Sequence, residues 1–355
     1  MLEITSLRKR NTLAVAINGH LGNALFEIAS AVAIAAHYNL SVCLHDHVNH
    51  YVVIASDVQS LLANVPEVCP EHIQKRMNMG DQVHIYNHCC VFEDFFVSPY
   101  HKGKKSFLFG RYGGRTDRTR MSLKDLFPRG QEEDGKIYSL YSFLQSWKYL
   151  QLAPKMAEVR LKPGVISNAR KYLENIAPNQ KRVALHLRVG DASGPNHIYN
   201  FPGKEYFHKA MQYFLEKWGS VKFLVFSDNP TWCKKQSLFA SENIYILEGG
   251  EENAVQKEFG LMSACDGVIL SVGTFGWWAG YFSSQDGGEV VYFKNNFNSV
   301  QVRAKGEKVV EEDHFPQNWI GLKAPALDRR GKLVQDIKGD VLPKAPEWGT
   351  LNESN

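Results

Sequence analysis

The segment VALHLRVGD (183–191) joins an apolar strand directly to a polar cluster that contains His186, Arg188, Gly190 and Asp191. Arginine offers a planar donor fork that matches phosphate oxygens, and glycine permits a tight turn with close approach of the backbone to a ligand. The segment therefore indicates an anion site at the end of a strand. The simpler alternative is a structural ion pair between Arg188 and Asp191, with His186 as a buried side chain.

The chain around this segment alternates between strand-like and helix-like patterns. Strands are predicted at 182–187, 221–226, 244–247, 267–271 and 290–293, and helices at 203–218, 230–239, 255–265 and 275–284. Continuous apolar strands with crossover helices predict an α/β fold with a doubly wound parallel sheet. Such sheets bind ligands at the carboxyl ends of their strands, which is where His186 to Asp191 fall.

The first half of the chain is less regular. A short strand (13–17), a glycine turn within NGHLGN (18–23) and a helix (24–38) are predicted, whereas 41–165 shows mixed signals. We expect an N-terminal lobe at 1–165, a C-terminal lobe at 166–322 and a tail at 323–355.

Two other predicted strands also end in polar or small residues. Ser227 and Asp228 follow one strand and can bind a ligand or cap the next helix, while Asn229 fits a capping role better. The run SVGTFG (271–276) opens another helix, whose backbone N–H groups and the hydroxyl of Thr274 would suit phosphate. Together with the glycine turn, these strand ends predict a diphosphate held in a cleft between two lobes.

Several site types are absent from the sequence. It has no GxxxxGK[ST] loop, its GHLGN run lacks the full GxGxxG pattern, and no Asp-x-Asp pair occurs. We therefore expect no metal and no cofactor, with the charge of a leaving diphosphate met by Arg188 and by helix N-termini.

The net charge, the cysteines and the apolar runs of the sequence indicate which partners and locations are not expected. The formal charge is only +4 over 355 residues, so nucleic acid is not an expected partner. All six cysteines are expected to be reduced. No signal peptide is recognised, and the most apolar run (29–36) is about half of a membrane span, so no membrane segment is expected. A cytoplasmic or organellar location follows, or the Golgi lumen if an anchor was removed.

Six segments, in order, carry a resemblance to a known family. They are GHLGNALFEIA (19–29), FLQSWKYL (143–150), HLRVGD (186–191), FSDNPTWC (226–233), LMSACDGVILSVGTFGWWAGYF (261–282) and HFPQNWIGL (314–322). The set resembles the α1,2-fucosyltransferase family, in which HLRVGD is close to HxRRGD.

This resemblance implies a GT-B-like fold with two Rossmann-type lobes, a donor site in the cleft, and GDP-β-L-fucose as donor. The lobe at 166–322 would bind the GDP-sugar, and the lobe at 1–165 would lie on the acceptor side. Fucose would pass, with inversion and without a metal, to the 2-OH of a β-galactoside in a glycan acceptor, giving an α1,2 linkage. The implied and predicted donor-binding residues together are His186, Arg188, Gly22, Asn23, Ser227, Asp228, Glu258 and Thr274. Glu258 would accept hydrogen bonds from guanine, although a solvated helix carboxylate is an equal alternative.

The catalytic residues implied are Arg188, which stabilises the leaving diphosphate, and Asp191, the candidate base. Asp191 could instead orient Arg188 or bind the acceptor. Val189 stands where the family has a second arginine, which leaves the acceptor open. Residues of 86–150 such as Tyr112, Arg115 and Trp147 are candidates to line the acceptor site. Two rival functions remain, a transferase for another nucleotide-activated sugar and an inactive nucleotide- or glycan-binding module.

Overall fold

The protein forms two compact units. Unit 1 contains Met1–Arg160 and Arg303–Pro316, and unit 2 contains Leu161–Val302 and Gln317–Asn355. The computed structural model describes residues 10–45, 58–63, 65–87, 90–92, 95–99, 119–128, 135–153, 160–189, 198–248 and 254–327. Each unit contains a six-stranded sheet.

The division differs from the predicted lobes at 161–165 and 323–355, which belong to unit 2, and at 303–316. Residues 303–316 fall inside the predicted 166–322 lobe but belong to unit 1. Residues 303–316 belong to unit 1 because Asp313 is bonded to residues of that unit. The carboxylate of Asp313 accepts a hydrogen bond from the backbone N–H of Phe92 at 2.8 Å, and its backbone carbonyl accepts one from Ser146 Oγ at 2.7 Å. These partners are more than 160 residues away in sequence, so no local pattern points to them.

Unit 1 is built on a sheet with the strand order β2-β1-β6-β3-β4-β5. The first four strands in that order run parallel, and β4 and β5 add an antiparallel edge. The strands are β1 (Thr12–Val15), β2 (Ser41–Leu44), β3 (Val83–Asn87), β4 (Phe95–Pro99), β5 (Thr119–Met121) and β6 (Ile137–Leu140). The helices described are α1 (Leu21–Tyr38), α2 (Glu71–Asn78), α3 (Leu123–Leu126) and α4 (Trp147–Leu150). Residues 303–316, called the returning segment here, add α11 (Glu311–His314).

Helix α1 is a core helix. Its 18 residues are apolar and long enough to cross a membrane by length and composition, yet 72% of that window is buried inside the protein. Most residues of the helix are buried, on all of its faces, and Asn39 ends the helix in a left-handed conformation at φ 56°. The helix begins at Leu21, so the predicted glycine turn is shorter than expected and Gly22 and Asn23 lie in the first helical turn.

The cysteine prediction was wrong for Cys43, Cys69 and Cys90, which are disulfide-bonded. Cys43 in β2 and Cys69, just before α2, form a disulfide across 26 residues of sequence. Cys233 and Cys265 are buried free thiols, as expected. The disulfide arises because the backbone of residues 68–69 pairs with the end of β2, where Cys69 N–H donates to the carbonyl of Leu44 at 2.8 Å.

Unit 2 has the strand order β10-β9-β7-β11-β12-β13, and its neighbouring strands are all parallel. The strands are β7 (Lys181–Leu187), β9 (Val221–Ser227), β10 (Ile244–Ile246), β11 (Gly267–Leu270), β12 (Glu289–Phe293) and β13 (Ile320–Leu322), with a small β8 (Phe201–Pro202) and β14 (Ala326–Leu327) pair beside them. The helices are α5 (Pro163–Ile176), α6 (Lys204–Trp218), α7 (Pro230–Lys234), α8 (Ala254–Ser263), α9 (Thr274–Gln285) and α10 (Ser299–Ala304). The predicted α/β architecture with a doubly wound parallel sheet is confirmed.

Strand alternation assigns each residue of β7 to one face of the sheet. Val183, Leu185, Leu187 and the following Val189 belong to a buried cluster with the aromatic residues of α6. The residues between them face the other side, where His186 lies 6.0 Å from the ring of Phe275 in α9. The strand therefore sends His186 and Arg188 to the same side of the sheet and Val189 into the core.

Candidate functional site

The carboxyl ends of β9, β7 and β11 lie side by side because these strands are neighbours in the sheet. This edge carries Ser227 and Asp228 from β9, His186 and Arg188 from β7, and the turn that leads from β11 into α9. The structure thus brings together predicted site residues that are far apart in sequence.

Arg188 lies against the N-terminus of α9. Its backbone N–H donates to Ser271 Oγ at 3.0 Å, and its side chain passes over Gly273, where a Cβ atom would be 3.4 Å from Cδ and 3.6 Å from Nη1. Gly273 has φ +92°, a conformation that favours glycine. Thr274 is the first residue of the 12-residue helix that follows. A guanidinium group and a helix N-terminus therefore converge, and both attract an anion.

The ring of His186 is buried against helix α9. The side chain is 7% exposed, and a Cβ atom at Gly276 would be 2.4 Å from its Nδ1, so glycine is required for the helix to pass over the ring. Ser271 Oγ lies 3.4 Å from the same nitrogen. Burial, together with the charge of Arg188, lowers the pKa of His186 to about 3. The ring is neutral at physiological pH and adds no charge to the site.

Asp228 and Ser227 bind the protein backbone. Asp228 Oδ1 accepts a hydrogen bond from the N–H of Val189 at 2.8 Å, which fixes the chain directly after Arg188. Ser227 Oγ accepts from the N–H of Asn229 at 3.1 Å. Asn229 Oδ1 accepts from Trp232 N–H at 3.0 Å, so the capping interpretation is confirmed.

Glu258 is half-buried in the middle of α8. It lies on the same side of the helix as Met262, which is 0% exposed, because residues four positions apart share a helix face. Burial raises the pKa of its carboxyl above the usual value, and the adjacent Lys257 opposes that shift. The guanine-binding role of Glu258 stays a prediction.

Val189, which replaces the second arginine of the family pattern, is 5% exposed and lies in the apolar cluster beside α6. The position does not present its side chain at the strand edge.

Gly22 and Asn23 lie in unit 1, apart in sequence from the edge just described. Asn23 Oδ1 accepts from Gln145 Nε2 at 3.1 Å. A Cβ atom at Gly19 would be 2.2 Å from Asn23 Nδ2, so the turn and this side chain pack tightly. The contribution of Gly22 and Asn23 to donor binding stays a prediction.

The remaining predicted residues lie outside the described residues or make a structural contact. Gly190, Asp191, Tyr112 and Arg115 lie outside the described residues. Trp147 donates from Nε1 to the carbonyl of Glu312 at 3.0 Å and thereby helps to hold the returning segment. Among the residues that the structure describes, no group of three or more His, Cys, Asp or Glu is arranged to hold a metal ion.

Sequence reasoning missed two residues that shape the site. Ser271 bonds the backbone of Arg188 and approaches His186, and the small-residue run 271–276 was its only signal. Glu27 is buried in α1 and its Oε2 accepts from the N–H of Asn18 at 2.8 Å, which anchors the glycine turn. A single acidic residue in an otherwise apolar helix was the signal for Glu27.

Comparison with known proteins identifies the C-terminal part of the chain. Residues 155–323 match the model of glycosyl transferase family 11. The matched residues include the whole edge that carries His186, Arg188, Asp228 and Thr274, and also Glu258 in α8. The resemblance to the α1,2-fucosyltransferase family is thus confirmed.

Curated relatives in this family are galactoside fucosyltransferases. Galactoside alpha-(1,2)-fucosyltransferase 2 of Bos taurus is 26% identical over 204 residues, which are 54% of this chain and 56% of that protein. Galactoside alpha-(1,2)-fucosyltransferase 1 of the same species is 31% identical over 145 residues, or 40% and 39% of the two chains. The chain therefore spans about half the length of the curated relatives that it matches.

Solved structures of fucosyltransferases are similar to the chain at low identity. POFUT1 in its apo form aligns with a TM-score of 0.48 and 11% identity, covering 80% of this chain and 98% of that one. Fucosyltransferase NodZ from Bradyrhizobium aligns with a TM-score of 0.43 and 14% identity, covering 76% and 93%.

Proposed function

We propose that the protein is an inverting glycosyltransferase that moves L-fucose from GDP-β-L-fucose to the 2-OH of a β-galactoside, forming an α1,2 linkage. The observation that carries the proposal is the position of Arg188, whose side chain lies over Gly273 at the N-terminus of α9. A leaving nucleoside diphosphate is the group that gains most from a guanidinium and a helix N-terminus in one place. The match to the family 11 model and the names of the relatives support fucose as the sugar and galactosides as the acceptor class.

The reaction proposed is a single displacement with an oxocarbenium-like transition state. The acceptor hydroxyl attacks C1 of fucose from the face opposite GDP, and the C1–O bond to the diphosphate breaks. Arg188, the first N–H groups of α9 and the Thr274 hydroxyl stabilise the charge that develops on the diphosphate. Asp191 remains the candidate to take the proton of the hydroxyl.

Glu258 is the proposed partner of the guanine base. Guanine presents N1–H and an N2 amino group side by side, and one carboxylate accepts from both. A half-buried carboxylate on the sheet side of α8 supports this role, because the cost of its burial is offset when both oxygens accept hydrogen bonds. His186, Ser227 and Asp228 act in this proposal by holding the strand ends, and donor binding by Gly22 and Asn23 stays a prediction.

The compartment proposed is an oxidising one, such as the lumen of the secretory pathway. The Cys43–Cys69 disulfide supports it, because disulfides persist where the glutathione pool does not reduce them.

The decisive experiment incubates the purified protein with GDP-fucose and N-acetyllactosamine, with and without EDTA, and determines the linkage of the product by NMR. We expect an α1,2-linked fucose in both samples. Parallel calorimetry with GDP, UDP and ADP checks the donor class, and tighter binding of UDP than of GDP would assign the protein to another nucleotide sugar. If the protein binds GDP but neither transfers fucose to a galactoside nor hydrolyses GDP-fucose, it is an inactive binding module.

A further inference from the structure

A cluster of two imidazole and two phenol rings lies in unit 1. The rings of His84 and Tyr141 are 5.3 Å apart, those of Tyr86 and Tyr141 are 5.8 Å apart, and those of His45 and Tyr141 are 6.4 Å apart. Tyr141 is therefore the centre of the cluster. His45, His84 and Tyr141 are each partly exposed, whereas Tyr86 is 5% exposed.

The register of the sheet explains why these rings meet. Leu44, Val15, Leu140 and Ile85 form one row across β2, β1, β6 and β3. The residues that follow them in three of these strands are His45, Tyr141 and Tyr86. The backbone continues the pairing there, because Tyr141 N–H donates to the carbonyl of Ile85 at 3.0 Å and His45 N–H to that of Val15 at 2.8 Å. His84 precedes Tyr86 by two residues and so shares its face.

The cluster therefore occupies the carboxyl edge of the parallel strands. Earlier rows of the same face are covered by α2, where Met77 and Ile73 pack with Ala14 and Cys43. Met77 Sδ also accepts a hydrogen bond from Ser139 Oγ at 3.6 Å. The ring cluster begins where this aliphatic cover ends. The carboxyl edge is also where α/β sheets bind their ligands.

The four side chains are all rings that can donate and accept hydrogen bonds. None is a carboxylate, a lysine or an arginine, so the cluster is not suited to a phosphate or a metal-bound anion. Burial lowers the pKa of His84 to about 4, and its neutral ring has one nitrogen that donates and one that accepts. The phenol groups likewise donate and accept. Flat rings combined with uncharged donors and acceptors match a sugar, which has an apolar C–H face and a rim of hydroxyl groups.

We propose that His45, His84, Tyr86 and Tyr141 form a carbohydrate-binding subsite in unit 1. Its assignment to the acceptor glycan rests on the proposed function. A terminal galactose packs its C–H face on Tyr141, and the imidazole and phenol groups bind its hydroxyls. Trp147, an acceptor candidate from the sequence, is not one of these four residues, and the candidates Tyr112 and Arg115 lie outside the described residues.

The test measures binding of N-acetyllactosamine in the absence of any donor, by saturation-transfer NMR and titration, for four forms of the chain. Tyr141→Leu removes the ring and is expected to weaken binding about three- to tenfold, the range for loss of one aromatic contact. Tyr141→Phe keeps the ring and should bind within about twofold of the unmodified protein. Tyr38→Leu is the matched control, because Tyr38 is part of a separate ring contact with His37 and Phe127 in the same unit.

GDP titration and thermal unfolding of each variant separate loss of the subsite from loss of the fold. Unchanged N-acetyllactosamine affinity in Tyr141→Leu, or equal losses in Tyr141→Leu and Tyr38→Leu, would overturn the subsite. So would an unmodified protein that binds GDP but no galactoside. If fucose transfer is absent while Tyr141→Leu still selectively loses galactoside binding, the subsite stands and the proposed function fails.

Discussion

Arg188 is the residue on which donor binding depends most directly. Its backbone N–H is fixed by Ser271, so replacement of the side chain leaves the strand end in place. We expect Arg188→Ala to lower kcat/KM about 100- to 1000-fold, the cost usually found when one charge-stabilising donor is removed from an active site. Steady-state kinetics with GDP-fucose would measure it. Arg170→Ala is the control, since Arg170 pairs with Asp286 on the surface, and equal losses in both variants would contradict the role of Arg188.

Glu258 should make GDP binding depend on pH. Its raised pKa means that the carboxyl group takes up a proton at a higher pH than an exposed glutamate does. The ionised form accepts two hydrogen bonds from guanine, so GDP affinity should be constant above the raised pKa and fall as the pH drops through it. Calorimetry of GDP and ADP across this range would measure the effect. In Glu258→Gln we expect weaker GDP binding at neutral pH and no such pH dependence, whereas ADP binding should change little.

At the scale of elements, the β1–α1 turn depends on a buried carboxyl group. Glu27 is 0% exposed and its Oε2 accepts the backbone N–H of Asn18 at 2.8 Å. Glu27→Ala leaves a cavity and an unpaired N–H, and should lower the free energy of unfolding of unit 1 by about 2 to 4 kcal/mol. Glu27→Gln keeps an acceptor and should cost less. Urea denaturation would compare the two, and an equal loss in both would show that the acceptor oxygen is unimportant.

Helix α11 gives unit 1 a sensitivity to acid. Burial lowers the pKa of His314 to about 4, although its Nδ1 lies 2.8 Å from the carbonyl of Gln145, which opposes the shift. Between the ordinary value of 6.5 and about 4, the unfolded chain binds a proton at this residue and the folded chain does not. This contribution to stability is therefore complete above pH 6.5 and declines on acidification, by up to about 1.4 kcal/mol per pH unit.

Denaturation of His314→Gln from pH 7 to 4 would test this expectation. Glutamine can still donate to the Gln145 carbonyl but does not titrate, so the decline of stability with acid should be shallower than in the unmodified protein. His72→Gln, at an exposed site in α2, is the control and should leave the decline unchanged. A slope that His314→Gln does not alter would contradict the assignment.

The same elements show how far sequence reasoning extends. Strand β7 and the placement of Arg188 were predictable because an apolar run with a following polar cluster is a local pattern, and parallel strands collect such clusters at one edge. Ser271 was not predictable as the partner of Arg188, because their contact depends on which strands become neighbours. The return of 303–316 to unit 1 depends on side chains such as Asp313, whose partners are far away in sequence.

At the scale of the whole molecule, the two units differ in covalent support. Unit 1 contains the Cys43–Cys69 disulfide, whereas Cys233 and Cys265 of unit 2 are free. Closing a loop of 26 residues should stabilise unit 1 by about 3 kcal/mol through the restricted unfolded chain. We expect a reducing agent, or Cys43→Ala, to lower the unfolding temperature of unit 1 and to leave the transition of unit 2 in place.

Scanning calorimetry with and without GDP would assign the two transitions, because a ligand of the Arg188 edge raises the transition of unit 2. Cys233→Ala serves as the comparison, since it removes a buried thiol without affecting any disulfide. One cooperative transition that reduction shifts as a whole would show that the units unfold together. Insensitivity of both transitions to reduction would contradict a stabilising disulfide and remove the support for an oxidising compartment.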